Sequence, residues 1–196
     1  MGFNLDDMKA KIMLLADSES DYTQEDFNLE FGSDSLDDLN NNNIDNYKIK
    51  LDFVNKSNNQ NPEYATKGSS GFDLRASLTE PIIIDSGKYK LIPTGLYFNI
   101  PENMEIQIRS RSGLAAKDGV CVLNSPGTID CDYTGEIKII LINHGEHKFT
   151  INNGDRIAQA VVATVIGKQF IKMSQVDKIE KNTDRSDGGF GSTGVK

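Results

Sequence analysis

The chain changes texture near residue 47. From there apolar and polar positions alternate in short runs, the period of strands that bury one face. KIKLDFV (48–54) opens the series. PIIID (81–85), YKLI (89–92), GLYFNI (95–100), MEIQIRS (104–110), GVCVL (119–123), EIKIILIN (136–143), HKFTI (147–151) and RIAQAVVATVI (156–166) continue it. Turn formers separate the runs: Asp85-Ser86-Gly87, Pro93, Pro101-Glu102-Asn103, His144-Gly145-Glu146 and Asn152-Asn153-Gly154. Within this region only SGLAAK (112–117) reads as a helical turn or two. Evenly spaced short strands with so little helix predict an all-β sandwich, jelly roll or barrel. There is no internal repeat.

The first 46 residues follow a different pattern. Asn4 can cap a helix with Asp6 and Asp7 in its first turn and Leu5, Met8, Ile12 and Leu15 on one face. The stretch that follows, as far as Asn46, is polar and acidic and ends in an asparagine tract, the composition of a linker or disordered arm. The expected organisation is an acidic, partly helical or disordered extension (1–46), a β domain (47–178) and a glycine-rich C-terminal arm (179–196). The extension reads either as a docking element for a protein partner or as a solvated appendage.

Charge sharpens this division. The net charge is -8, yet residues 1–46 hold 12 acidic and 2 basic side chains, a balance of -10. The remaining 150 residues hold 17 acidic and 19 basic ones, a balance of +2. A domain so weakly cationic tolerates a small polyanion and gives no footing for stable nucleic-acid binding. Hydrophobic residues make up 37% of the chain, enough for a real core, but no run approaches the roughly 18 apolar residues of a membrane helix. The start lacks a basic secretory beginning, and two cysteines make no disulfide framework, so a reduced, cytoplasmic protein is expected. Cys121 and Cys131 read as core or strand residues. His144 and His147 read as hairpin residues and not as metal ligands.

Several stretches are too polar and too glycine-rich to serve a sheet alone. In GTIDCDYTGE (127–136), strand alternation would put Ile129 and Cys131 on one face and Asp130 and Asp132 on the other. Adjacent carboxylates repel each other unless a cation or a positioned water lies near. A β-turn is the alternative for this stretch. SRSGLA (110–115) offers a guanidinium, hydroxyls and backbone amides before a possible helix start, the means by which anions are held. GDRIAQ (154–159) adds Arg156, although Asp155 and Arg156 could simply pair with each other. RSDGGFGSTG (185–194) sets Arg185, Ser192 and Thr193 among glycines, with Phe190 as a stacking surface. Together these describe a polyphosphate site with room for a base.

GFDLRAS, SRSGLA, NSPGTIDCDYTGE, GDRIAQ and RSDGGFGSTG resemble, in order and spacing, the five motifs of the trimeric dUTP diphosphatase (dUTPase) family, over about residues 47–194. The resemblance implies a dUTPase-like jelly roll or distorted β-barrel, and a homotrimer whose active sites are shared between subunits. It implies hydrolysis of dUTP to dUMP and pyrophosphate by Mg²⁺-assisted water attack on the α-phosphorus, which limits uracil in DNA and supplies dUMP for dTMP synthesis. Asp130 is similar to the residue that orients and deprotonates the water and contacts the 3′-hydroxyl. Tyr133 is similar to the ring beneath the deoxyribose that excludes a 2′-hydroxyl. Asn124 and Gly127 match the uracil contacts, with Thr128 and Ile129 beside them. Arg111, Ser112 and Gly113 match the α- and β-phosphate contacts, assisted by Gln159. Arg185, Gly191, Ser192 and Thr193 match the clamp on the terminal phosphate, Phe190 the ring stacked on uracil, and the arm as a whole a lid.

Asp73, Asp132, Asp155 and Arg156 take supporting roles by the same resemblance, with Asp155 structural. The metal would be held by substrate phosphates and water with no direct protein ligand, Asp73 reaching it through water. Ser110 stands where the family often has proline, and Ser186 where a glycine commonly follows the arm's arginine; either departure could alter loop stiffness. dCTP deaminase shares the fold, but IDCDY and SRSGLA match the hydrolase pattern better. A regulatory scaffold built on the trimer is the alternative from another class.

Overall fold

The computed structural model describes residues 49–167 and 170–180, together with Thr183, Ser186 and Gly188. The N-terminal helix and linker and most of the C-terminal arm therefore lie outside the described residues. Within them, eleven strands and one α-helix follow one another in the order β1 (Asp52–Asn55), β2 (Phe72–Arg75), β3 (Ile82–Ile84), β4 (Tyr89–Pro93), β5 (Leu96–Asn99), β6 (Met104–Arg109), α1 (Ser112–Asp118), β7 (Val120–Val122), β8 (Gly127–Ile129), β9 (Lys138–Asn143), β10 (Phe149–Ile151) and β11 (Arg156–Thr164). They form a four-stranded sheet β2-β11-β6-β8, a three-stranded sheet β4-β9-β7, and two strand pairs, β1-β5 and β10-β3. The expected all-β architecture is what the chain adopts.

Strand alternation builds the core. Ile106 and Ile108 of β6, Phe72 and Leu74 of β2, and Ile139 and Leu141 of β9 point inward, joined by Ile84, Ile92, Val120, Ile137 and Ile151. Burying each large aliphatic side chain stabilises the fold by about 1.5–3 kcal/mol before chain entropy is charged against it. Asn143 also lies in this core. Its amide nitrogen donates to the carbonyls of Ile84 and His147 at 2.9 and 2.7 Å, and its Oδ1 accepts the Gly145 N–H at 2.9 Å. One side chain thereby closes the 143–147 hairpin onto β3.

Three local expectations change. KIKLDFV does not form a half-buried strand: β1 begins only at Asp52, and Asp52, Phe53 and Val54 are exposed. Strand β8 stops at Ile129, so the alternation through Cys131 does not occur. The Tyr133 N–H bonds back to the Asp130 carbonyl at 3.1 Å and makes residues 130–133 a turn. Cys131 consequently sits exposed in that turn, neither core nor strand, whereas Cys121 lies half-buried on β7. Strands β2 and β8 fall within motif stretches rich in polar residues and stand outside the alternating series read from the sequence.

Candidate active site

The site starts from the outward face of the four-stranded sheet. In β2, inward Phe72 and Leu74 leave Asp73 on the opposite face. Gln159 of β11 pairs with Asp73 on one side and with Arg109 of β6 on the other, so the three occupy one row. Regular alternation would then turn Arg156, three residues from Gln159, into the core. A register shift between Arg156 and Ala158 prevents this: Ile157 and Ala158 are both buried, and Arg156 emerges on the side of Asp73. An extra residue in one strand re-aims the side chains beyond it.

Asp73 is the hub of the resulting cluster. One carboxylate oxygen accepts Arg111 Nε at 2.9 Å and the other accepts Arg156 Nη1 at 3.0 Å. Arg111 also donates from Nη1 to the Arg156 carbonyl at 3.0 Å. The pairing of Asp155 with Arg156 considered from sequence is not made: Asp155 Oδ2 instead accepts the Asn152 N–H at 2.7 Å and closes its own turn. Two guanidiniums on one carboxylate leave the cluster a formal charge of +1 facing solvent, suited to an anion. A cleft of about 370 Å³ adjoins it, lined by Arg111, Leu114, Phe149, Thr150, Asp155, Arg156 and Ile157.

The loop before α1 is braced from both sides. Gln159 Nε2 donates to the Ser110 carbonyl at 2.9 Å, and the Ser110 hydroxyl accepts the Val122 N–H at 2.9 Å. Serine in the place of proline thus gives this loop a tie that proline lacks. Arg111 caps α1 with an extended backbone and no side chain bonds its first turn, which carries no acidic residue. A methyl group at Gly113 would meet nothing within 4 Å. Ser112 and Gly113 are exposed, and the first amides of a helix have no partner within it. At the other end Gly119, at φ +66°, ends the helix, and a methyl group there would come within 2.7 Å of the Gly145 nitrogen.

A second group of candidate residues gathers elsewhere. A methyl group at Gly127 would stand 3.1 Å from Asn124 Nδ2 and 3.4 Å from Ile108 Cβ, so Asn124 and Gly127 are in close contact. Thr128 faces outward opposite Gln107, and Ile129 is half-buried opposite Ile106. Asp130, Asp132 and Tyr133 follow in the exposed turn. Among the described residues, the Asp130 carboxylate makes no hydrogen bond or ion pair. Sequence reasoning missed what holds this turn in place. The Tyr133 hydroxyl donates to the Glu136 carbonyl at 3.0 Å, Glu136 Oε1 accepts the Gly95 N–H at 2.9 Å, and the buried Thr94 hydroxyl donates to the Ile137 carbonyl at 2.7 Å. The only signal in the sequence is a threonine-glycine pair ahead of a strand.

Asp130 and Arg111 lie toward opposite ends of β6 within one protomer. Strand β8 runs antiparallel to β6, with Gly127 opposite Ile108 and Ile129 opposite Ile106. Asp130 therefore leaves toward the Met104 end of β6, while Arg111 follows the other end. Six residues at about 3.3 Å each separate them by roughly 20 Å. Arg185, Phe190, Gly191, Ser192 and Thr193 lie outside the described residues.

Among the described residues no three His, Cys, Asp or Glu side chains gather as a metal site, and both oxygens of Asp73 already face arginines. A hard cation such as Mg²⁺ would find its oxygens on a ligand's phosphates and in water, a donor set it favours.

Fold and site define a β-sheet protein with an arginine cluster suited to an anion at one sheet end and an exposed turn carrying Asp130 and Asp132 at the other. The sequence model of the family described as dUTPase matches residues 57–194, and the chain belongs to the dUTPase family. It is 52% identical over 135 residues to the deoxyuridine 5′-triphosphate nucleotidohydrolase of Neorickettsia sennetsu, covering 69% of this chain and 88% of that one. To the protein of the same name from Chlamydia caviae it is 54% identical over 135 residues, covering 69% and 91%. Among solved structures, the Staphylococcus bacteriophage 80alpha dUTPase with dUPNHPP superposes with a TM-score of 0.67 at 24% identity, over 76% of this chain and all of that one. A mutant dUTPase from phage phi11 of S. aureus, described with a structural Mg(II) ion, gives 0.59 at 22% identity, over 68% of this chain and 100% of that one.

Proposed function

We propose that the protein is a homotrimeric dUTP diphosphatase that hydrolyses dUTP to dUMP and pyrophosphate, limiting uracil in DNA and supplying dUMP for dTMP synthesis. The observation that carries this reading is the cluster of Arg111, Arg156 and Asp73, braced by Gln159 beside the uncapped start of α1. Arg111 and the amides of Ser112 and Gly113 bind the α- and β-phosphates. Asp73 and Gln159 are positioning residues that hold the arginine and the loop. Asn124 and the backbone at Gly127 to Ile129 take uracil, and Tyr133 packs under the deoxyribose. Arg185, Gly191, Ser192 and Thr193 clamp the terminal phosphate and Phe190 covers the base. Asp130 orients a water in line with the α-phosphorus and removes its proton as the P–O bond to the leaving pyrophosphate breaks. Mg²⁺, bound by the phosphates and water with Asp73 in reach of its shell, supplies neutralisation of charge on the leaving group.

The roughly 20 Å between Asp130 and Arg111 supports sites assembled between subunits, with the carboxylate of one protomer completing the phosphate site of another. An apolar face supports association as well. On the outer side of β4-β9-β7, Tyr89 pairs across to Ile142 and Ile142 to Cys121, while Leu91 pairs to Ile140. Tyr89 is 63% and Leu91 55% exposed, a surface that a lone protomer rarely leaves to water. Beyond β11, Ile166, Met173 and Ile179 are exposed as well. The β domain (47–178) and the arm (179–196) make up the catalytic unit, which operates in the cytoplasm. Incubation of the full chain with dUTP and Mg²⁺ should release pyrophosphate, and Asp130→Asn should lose at least about a thousandfold in kcat. Equal release by both proteins would overturn the reading.

A further inference from the structure

The ring of Tyr133 is placed by its neighbours. A methyl group at Gly135 would stand 2.5 Å from the Tyr133 hydroxyl oxygen and 2.6 Å from Cζ, so the ring end occupies the space that any other residue's Cβ would need. The obstructing atoms belong to the far end of a side chain, so alanine there shifts the ring before it shifts the backbone. On the other side, the hydroxyl is tied to the Glu136 carbonyl at 3.0 Å. That carbonyl sits in a clamped segment. Glu136 Oε1 holds the Gly95 N–H at 2.9 Å, the Ile137 N–H reaches the Leu96 carbonyl at 2.8 Å, and the Thr94 hydroxyl reaches the Ile137 carbonyl at 2.7 Å. Gly95 in turn presses on Ser57, whose Cβ would be 2.8 Å from a methyl group.

We propose that Gly135 and Glu136 are positioning residues that fix the lateral place of the Tyr133 ring and so set discrimination between deoxyribo- and ribonucleotides. The inference rests on the reading of Tyr133 as the surface beneath the sugar. Excluding one hydroxyl by contact demands placement to a fraction of an ångström, because a ring that can move aside leaves room for it. Tyr133 is 45% exposed, and the protomer's own packing secures its hydroxyl end and the edge against Gly135. Its turn also contains Asp130, through the bond from the Tyr133 N–H to the Asp130 carbonyl at 3.1 Å. Sugar surface and carboxylate are thus held as one unit against the 94–96 turn.

The test is kcat/KM for dUTP and for UTP, measured on full-length variants whose melting is followed alongside. Gly135→Ala should lower the dUTP/UTP preference by about tenfold or more, and Tyr133→Phe, which keeps the ring and cuts its tie, by a few-fold. Glu136→Ala should lower it too, whereas Glu136→Gln, whose amide oxygen still accepts the Gly95 N–H, should restore it. A merely structural role would scale both substrates together and leave the preference where it was. If Tyr133→Ala lowers the preference but the Gly135 and Glu136 variants do not, the positioning inference is overturned and the reading of Tyr133 stands. If Tyr133→Ala itself leaves the preference intact, the reading beneath the inference is gone. Should Gly135→Ala fail to fold, Tyr133→Phe and the Glu136 pair decide the matter.

Discussion

Two inactive variants of this protein should make an active one. Take Asp130→Asn, which lacks the proposed base, and Arg111→Ala, which lacks a proposed phosphate contact and the ion pair to Asp73. The register of β8 on β6 sends these residues to opposite ends of the sheet, roughly 20 Å apart at 3.3 Å per residue. The Arg111 guanidinium reaches over β11 to Asp73 of β2, away from β8. The side chains therefore do not close this gap, and one nucleotide should touch both only if they come from different copies. When the variants are mixed equally, unfolded and refolded together, each site draws its carboxylate and its arginine independently. One half of the carboxylates and one half of the arginines are intact, so roughly one quarter of the sites are whole. Pyrophosphate release should recover to about a quarter of the wild-type rate per protomer, whereas the same variants mixed without exchange should stay near background. If both residues served a site within one protomer, no mixture could contain a whole site. Recovery no greater than background, with light scattering showing mixed trimers, would therefore refute the shared-site geometry.

Asp73→Ala removes two charge-assisted hydrogen bonds from arginines whose side chains are 24% and 50% exposed. Discounted for that exposure, the loss is about 1–2 kcal/mol. The melting temperature should fall and KM for dUTP should rise about tenfold, and a melting shift with unchanged kcat/KM would count against the positioning role. Removing residues 185–196 should lower kcat/KM for dUTP by at least about a hundredfold while light scattering still reports a trimer. A monomer would make the arm structural. Asn143→Ala deletes both donors and the acceptor at the centre of the 143–147 hairpin, and urea denaturation at fixed protein concentration should show about 2–4 kcal/mol of lost stability. A loss below about 0.5 kcal/mol would mean that water replaces the amide.

Strand positions were legible wherever apolar alternation was strong, as in MEIQIRS and EIKIILIN, because one buried face imposes a period of two. Alternation failed at KIKLDFV, where the apolar side chains Phe53 and Val54 stay exposed in the protomer. It also failed at Cys131, where a backbone bond from Tyr133 to Asp130 won over strand continuation. The chemistry of Arg111, Asp73 and Gln159 was legible as residue types near glycines, yet their partners were not. The join of Asp73 to Arg156 spans 83 positions and depends on sheet register, which no local pattern encodes. Thr94 and Asn143 escaped notice for a related reason. A polar residue inside an apolar core is recognisable only once the carbonyls it satisfies have been brought to it.

The irregularity between Arg156 and Ala158 leaves Ile157 without an opposite residue on β2. Deleting Ile157 would restore an unbroken ladder, with Arg156 still opposite Arg75 and Ala158 opposite Leu74, and so would keep the guanidinium beside Asp73 while removing one buried side chain from the core. Such a chain should still resemble its parent in secondary structure by circular dichroism. A shortened strand here would therefore weaken the packing beneath the charges before it moved the charges themselves.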